Sequence, residues 1–204
     1  MSTTAIVLAG GRATRFGGDK LALELGGRTI LDRAVDAVLP IADEVVVVGR
    51  LIEHPNDTVR FLADPEPGGG PLVGLSAALD AASGSQAIAV GGDMPFLVSA
   101  VLEALLGRLA LDLSIGGVIL GPPERADSGS RRQVLPVALD VDRARAAARA
   151  LVDRGDRSLQ ALLDGLGWVE LAADAWLPLD PQGRTLFDVD TPADLDEIRA
   201  RLAY

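Results

Sequence analysis

The sequence predicts an α/β fold built on a mostly parallel sheet, with a mixed extension in its second half. Two observations predict the parallel part. Short β-branched runs alternate with segments of helical period, the signature of strands joined by crossover helices. Glycine-rich or Pro/Gly stretches also follow several of those runs directly, which is where such folds bind ligands. The third observation predicts the extension: the alternation breaks near Gly121, and the stretch GPPERADSGSRRQ that follows has loop composition between two strand-like runs.

Taken in order, strands are expected at residues 5–9, 44–48, 59–63, 86–90, 114–120, 133–139, 168–171 and 185–189. Ile30, Leu31, Ala34, Val35, Val38 and Leu39 recur at helical spacing, as do Val98, Val101, Leu102, Leu105, Leu106 and Leu109, so both segments should pack one face on the sheet. Pro71 suits the first position of a third helix carrying Leu72, Leu75, Ala78 and Leu79. Thr191, ahead of Pro192 and Asp194, has the chemistry of an N-cap before a last helix. The runs flanking residues 121–133 form either a long hairpin or a mixed-sheet extension. No repeat or long linker divides the chain, so residues 1–204 are expected to form a single domain.

Composition narrows the chemistry. With 204 residues, 23 Gly, 12 Pro and no Cys, the chain can bury a core without disulfides, and thiolate metal sites and thiol nucleophiles are excluded. The lone His54 excludes a multi-histidine metal site. A formal charge of −10 argues against nucleic acid and against anionic membranes. No apolar run approaches the ~20 residues of a bilayer span. The start, MSTTAIVLAGGR, turns glycine-rich and basic where a signal peptide stays apolar, so a cytoplasmic location is expected. Chemistry is left to carboxylates, Arg, Lys and backbone.

Lys20 is the only lysine among the 19 basic residues. It closes LAGGRATRFGGDK, which directly follows the first strand and carries Arg12, Arg15 and Lys20 within an otherwise anionic chain. Gly10, Gly11, Gly17 and Gly18 allow backbone N–H groups to close around phosphate oxygens. The loop is neither a Walker A motif, since Asp19 separates Gly18 from Lys20 and Leu21 follows, nor a dinucleotide G-x-G-x-x-G fingerprint. Asp93, in GGDMPF after the strand at 86–90, is positioned to bind Mg²⁺ beside phosphates, or is a turn aspartate. Asp64 opens a Pro/Gly loop, DPEPGGGPLVGL, that either presents main-chain groups to a base or simply connects strand to helix. In FDVDTPADL, Asp188 and Asp190 are each either a second metal ligand, with Asp190 favoured, or a carboxylate at a helix start.

Together with the weaker RRQVLPVAL and RSLQALL, these motifs resemble, in order and spacing, the molybdenum cofactor guanylyltransferase (MobA) family within the nucleotidyltransferases, over nearly the whole chain. The Asp19-Lys20 pair is more similar to the guanylyltransferase branch than the Pro-Lys of sugar nucleotidyltransferases and cytidylyltransferases. The resemblance implies a Rossmann-like three-layer sandwich and transfer of GMP from GTP to the terminal phosphate of molybdopterin or Mo-molybdopterin, with Mg²⁺ as cofactor and release of pyrophosphate. It further implies nucleotide contacts from Leu8, Ala9, Gly10, Gly11, Lys20, Asp64 and Asp93, metal binding by Asp93 and Asp190, and catalytic roles for Arg15, Lys20 and Asp93. Arg131 and Arg132 are either acceptor-phosphate ligands or two solvated arginines, and Arg157 and Ser158 are further acceptor candidates, although Ser158 suits a helix cap equally. Molybdopterin-carrying or molybdoenzyme-maturation proteins are implied as partners.

The sequence departs from the family pattern in three places. Asp188 and Asp190 stand where Asn is frequent, Val48-Gly49 stands where some members have Asn, and Gly91-Gly92 precedes Asp93. Two alternatives remain open: a cytidylyltransferase or a sugar- or polyol-phosphate nucleotidyltransferase, and a nucleotide-binding protein without catalysis.

Overall fold

The computed structural model describes residues 1–10, 18–50, 54–123, 133–191 and 193–195. Strand β1 (Thr3–Leu8) is followed by a short hairpin of β2 (Glu24–Leu25) and β3 (Arg28–Thr29) and by helix α1 (Ile30–Val38). Next come β4 (Glu44–Val48), β5 (Val59–Leu62), α2 (Pro71–Ala81), β6 (Gln86–Gly91) and α3 (Ser99–Ala110). The second half holds β7 (Gly117–Leu120), β8 (Val137–Asp140), α4 (Val141–Asp153), α5 (Leu159–Leu166), β9 (Trp168–Leu171) and the single turn α6 (Ala173–Trp176).

Seven strands form one sheet in the order β5-β4-β1-β6-β8-β7-β9. β5, β4, β1 and β6 are mutually parallel. β8 runs antiparallel to both β6 and β7, and β7 is parallel to β9. The sheet is therefore parallel in its first half and mixed in its second, as the broken alternation predicts.

Period-two alternation sorts the strand residues between two helical layers. Ala5, Val7, Val45, Val47, Ile88 and Val90 face α1 and α3, where Leu31, Val35, Val101 and Leu105 are buried. Ile6, Val46, Val48, Ala87 and Ala89 face the opposite layer of α2, α4 and α5.

Local chemistry sets the helix boundaries. Thr29 and Asp32 form a reciprocal capping box at α1, Pro71 occupies the first turn of α2, and Asp140 and Ser158 cap α4 and α5 through their side-chain oxygens. The C-terminal carbonyls of α2 receive Arg145, whose Nε donates to Leu79 O at 2.9 Å and Nη2 to Ala82 O at 3.0 Å.

One expected strand does not form. Residues 185–189 contain a 3₁₀ turn (Arg184–Leu186) followed by chain that joins no strand of the sheet. Thr185 and Val189 are buried, but the backbone bonds neighbouring loops instead of a ladder. Leu186 O accepts from Gln133 Nε2 at 2.9 Å, and Val189 N donates to Asp93 O at 3.0 Å. The paired strands at residues 114–120 and 133–139 are also shorter than expected, spanning only β7 and β8.

Candidate active site

From β1 the chain connects through α1 to β4 on one side, whereas β6 lies on the other. The carboxyl ends of β1 and β6 thus flank a topological switch point, where open α/β sheets hold their ligands. Strand-end backbone bonds tie this edge together: Ala9 N donates to Val48 O at 2.8 Å, Gly49 N to Leu62 O at 2.9 Å and Gly92 N to Leu8 O at 2.9 Å.

Leu8, Ala9 and Gly10 lie at the β1 end, and Asp64 follows β5. A Cβ on Gly10 would stand 3.1 Å from Asp64 Oδ2, so the missing side chain brings the Asp64 carboxylate against the start of the glycine loop. Asp64 Oδ1 accepts from Glu66 N at 3.0 Å, which fixes its direction. Gly49 has φ +94, and a Cβ there would lie 2.4 Å from Gly10 Cα. A side chain at position 49 is therefore excluded by both backbone conformation and space, which accounts physically for the residue that departs from the family pattern.

Lys20 and Asp93 meet directly. The Lys20 ammonium donates to Asp93 Oδ2 at 2.8 Å, to Val189 O at 2.7 Å and to Asp190 Oδ1 at 3.3 Å. Burial works against its charge, but the hydrogen bond and attraction of Asp93, reinforced by Asp190, more than compensate and raise its pKa above the usual lysine value. Lys20 is therefore a full cation at neutral pH. Asp188 shifts upward as well: partial desolvation disfavours its anion, and the neighbouring carboxylates of Asp190 and Asp93 add like-charge repulsion.

The Gly91-Gly92 pair, given no role by the sequence, sets the space around Asp93. A Cβ on Gly91 would fall 2.5 Å from Asp93 Oδ1 and one on Gly92 3.2 Å from Leu8 O, so both glycines make room for the carboxylate and the β1 end. A small satellite core fastens the segments. Leu25, Ile30, Val189 and Leu195 are buried together, with Phe96 and Phe187 edge-to-face at 6.0 Å between centroids. Thr185 Oγ1 accepts from Val98 N at 3.2 Å.

Three oxygens from Asp93, Asp190 and Val189 around one ammonium make a cation seat. An all-oxygen donor set with two carboxylates suits a hard divalent ion such as Mg²⁺, so the residues present fit such a group.

On the same sheet edge, beside the start of α2, lies a cavity of about 600 Å³ lined by Pro71, Gln133, Leu135, Arg157, Ser158 and Gln160 among others. Arg157 Nη2 pairs with Glu66 Oε2 at 3.1 Å. Ser158 lines the cavity and also caps α5, accepting from Ala161 N at 3.3 Å. Gly11, Arg12, Arg15, Gly17, Arg131 and Arg132 lie outside the described residues.

Residues 5–170 match the family model described as the MobA-like NTP transferase domain. The chain belongs to that family. A relative in Chloroflexus aggregans, named a probable molybdenum cofactor guanylyltransferase, is 34% identical over 206 residues, covering 99% of this chain and 96% of its own length. A molybdenum cofactor guanylyltransferase of Xanthomonas euvesicatoria is 34% identical over 169 residues, covering 80% and 79%. Among solved structures, molybdopterin-guanine dinucleotide biosynthesis protein A of Archaeoglobus fulgidus superposes with a TM-score of 0.77 at 20% identity, covering 98% of each chain. A 2-C-methyl-D-erythritol 4-phosphate cytidylyltransferase of Thermus thermophilus gives 0.66 at 19% identity, again covering 98% of each. These two structures share the Rossmann-like fold. As a MobA-like NTP transferase the chain is an enzyme of nucleotidyl transfer. No helix among the described residues is long and apolar enough to cross a membrane.

Proposed function

We propose that this transferase moves GMP from GTP to the terminal phosphate of molybdopterin or Mo-molybdopterin and releases pyrophosphate. The observation that carries the reading is the ion pair of the Lys20 ammonium and the Asp93 carboxylate beside the switch point. The choice of guanine and of molybdopterin rests on the names of the full-length relative and its kin.

In the proposed reaction an oxygen of the acceptor phosphate attacks the α-phosphorus of GTP. The bond to the bridging α–β oxygen breaks, and its electron pair leaves with pyrophosphate. The attacking group is already an anion, so no general base is required, which agrees with a chain having one His and no Cys. Catalysis then consists of in-line positioning and charge neutralisation. Leu8, Ala9, Gly10 and Gly11 line the nucleotide, while Asp64 at the Gly10 position holds the nucleoside. Arg15 and Lys20 stabilise the β- and γ-phosphates as negative charge builds on them. Asp93, with Asp190, would hold Mg²⁺, which when bound neutralises phosphate charge and polarises the α-phosphate. We assign the acceptor to the cavity lined by Pro71, Gln133 and Arg157, and Arg131 and Arg132 remain the proposed ligands of its phosphate.

The deciding experiment compares pyrophosphate release from GTP, CTP, ATP and UTP with molybdopterin as acceptor and Mg²⁺ present. Release from GTP alone is expected. Release from CTP in preference to GTP overturns the base assignment, and release with a sugar phosphate but not molybdopterin overturns the acceptor. Tight GTP binding without pyrophosphate release for any acceptor identifies a non-catalytic binder.

A further inference from the structure

Asp19 is an unexpected neighbour for a phosphate-binding lysine. It directly precedes Lys20, its side chain is half exposed, and it contributes negative charge at the mouth of a site meant for a triphosphate. Arg50 meets it with both terminal nitrogens: Nη1 donates to Asp19 Oδ1 at 2.7 Å and Nη2 pairs with Oδ2. This two-point fork holds the Asp19 carboxyl below its ordinary range.

The position of Arg50 gives the pair a further consequence. Arg50 directly follows Gly49, whose backbone packs against Gly10 at the start of the glycine loop, while its guanidinium holds Asp19 at the loop's far end. Two consecutive residues after β4 thus contact Gly10 and Asp19, one on each side of residues 11–17.

We propose that Arg50 is a positioning residue for nucleotide binding, closing the base of the loop and cancelling the charge that Asp19 would otherwise present to the triphosphate. The inference rests on the nucleotidyl-transfer reading above. Arg50 acts through Asp19, so its loss should appear in KM and in nucleotide affinity, with kcat at saturating nucleotide little changed.

The test measures Mg²⁺–GTP affinity by calorimetry for the wild-type chain and for Arg50→Gln, Asp19→Asn and the double variant, with thermal midpoints recorded alongside. Arg50→Gln is expected to weaken binding about tenfold, a screened fraction of the several kcal/mol that a bare charge exerts a few ångströms from a polyanion. Asp19→Asn should bind at least as tightly as wild type, and the double variant should recover to within about threefold of it, because no charge is left to mask. If Arg50→Gln does not fold, Arg50→Lys keeps the charge and loses the fork, and about threefold weaker binding is expected. Unchanged binding in Arg50→Gln (or in Arg50→Lys, if that variant stands in), or a double variant as weak as the single one, overturns the inference while leaving the transferase reading intact. A wild-type chain that binds no nucleotide overturns both.

Discussion

Replacing Lys20 by methionine keeps most of the aliphatic stem and removes only the ammonium. In the structure that ammonium contacts three oxygens at 2.7, 2.8 and 3.3 Å, and its raised pKa keeps it charged across the working pH range. Moved onto a phosphate, such a cation at about 4 Å and an effective dielectric near 20 is worth roughly 4 kcal/mol. Loss of one preorganised donor to a developing oxyanion costs about 2.7–4 kcal/mol, or ~10²–10³ in rate. Both estimates give the same expectation, a fall in kcat of ~10²–10³ in a single-turnover pyrophosphate assay with GTP and acceptor. Stability should fall by about 1–3 kcal/mol, because the part-buried Asp93 carboxylate, 29% exposed, loses its charged hydrogen-bond donor. Arginine should not restore full activity, since its planar fork does not reproduce a compact ammonium. A methionine variant within threefold of wild-type turnover refutes the role assigned to Lys20. So does a loss of activity that merely follows loss of fold, seen as a collapsed thermal midpoint.

Other consequences are open to measurement. Glu44 accepts from Ser83 N, Thr4 Oγ1, Ser83 Oγ and Arg60. These bonds outweigh burial and hold its pKa at about 2. A depressed carboxylate stabilises the fold above its unfolded pKa, and that contribution, ~3 kcal/mol, is lost as pH falls from about 4.5 through 2. Denaturant titrations of Glu44→Gln should show a flatter pH slope in that window. Gly91→Ala forces a Cβ to within 2.5 Å of Asp93 Oδ1, so turnover should fall by ~10-fold or more, the cost of misplacing a catalytic group, while circular dichroism stays native. Gly49→Ala combines a left-handed φ with a 2.4 Å approach to Gly10 Cα and should destabilise by about 3 kcal/mol or more in chemical denaturation. Asp93→Asn should weaken Mn²⁺ binding, read by electron paramagnetic resonance with GTP present, more than Asp190→Asn does, because Asp190 is 61% exposed and Asp93 29%.

Much of the parallel half was legible because its signals are local. Val45, Val46, Val47 and Val48 form a continuous apolar run, as a strand buried on both faces requires, and α1 and α3 show their apolar stripes directly. The hairpin of β2 and β3 went unread although Gly26 and Gly27, at φ +62 and +78, carry the two-residue turn signal. Helix α4 was hidden because its buried face includes Ala144 and Ala148, too small to stand out as a hydrophobic stripe. The segment 185–189 imitates a strand because Thr185, Leu186, Phe187 and Val189 have strand-forming composition, yet it joins no ladder. At the site, Lys20 and Asp93 could be picked out by residue type and strand-end position. The roles of Gly49, Gly91 and Arg50 depend on contacts across the sheet edge, and no spacing along the chain encodes those.

The seat around the ammonium draws Lys20 from near one end of the chain and Val189 and Asp190 from about 170 positions later. A polypeptide still emerging from the ribosome can therefore complete the parallel half of its sheet and yet lack the oxygens that surround this ammonium. If the proposed role of Lys20 holds, a product stopped before Val189 should be inert even if it folds.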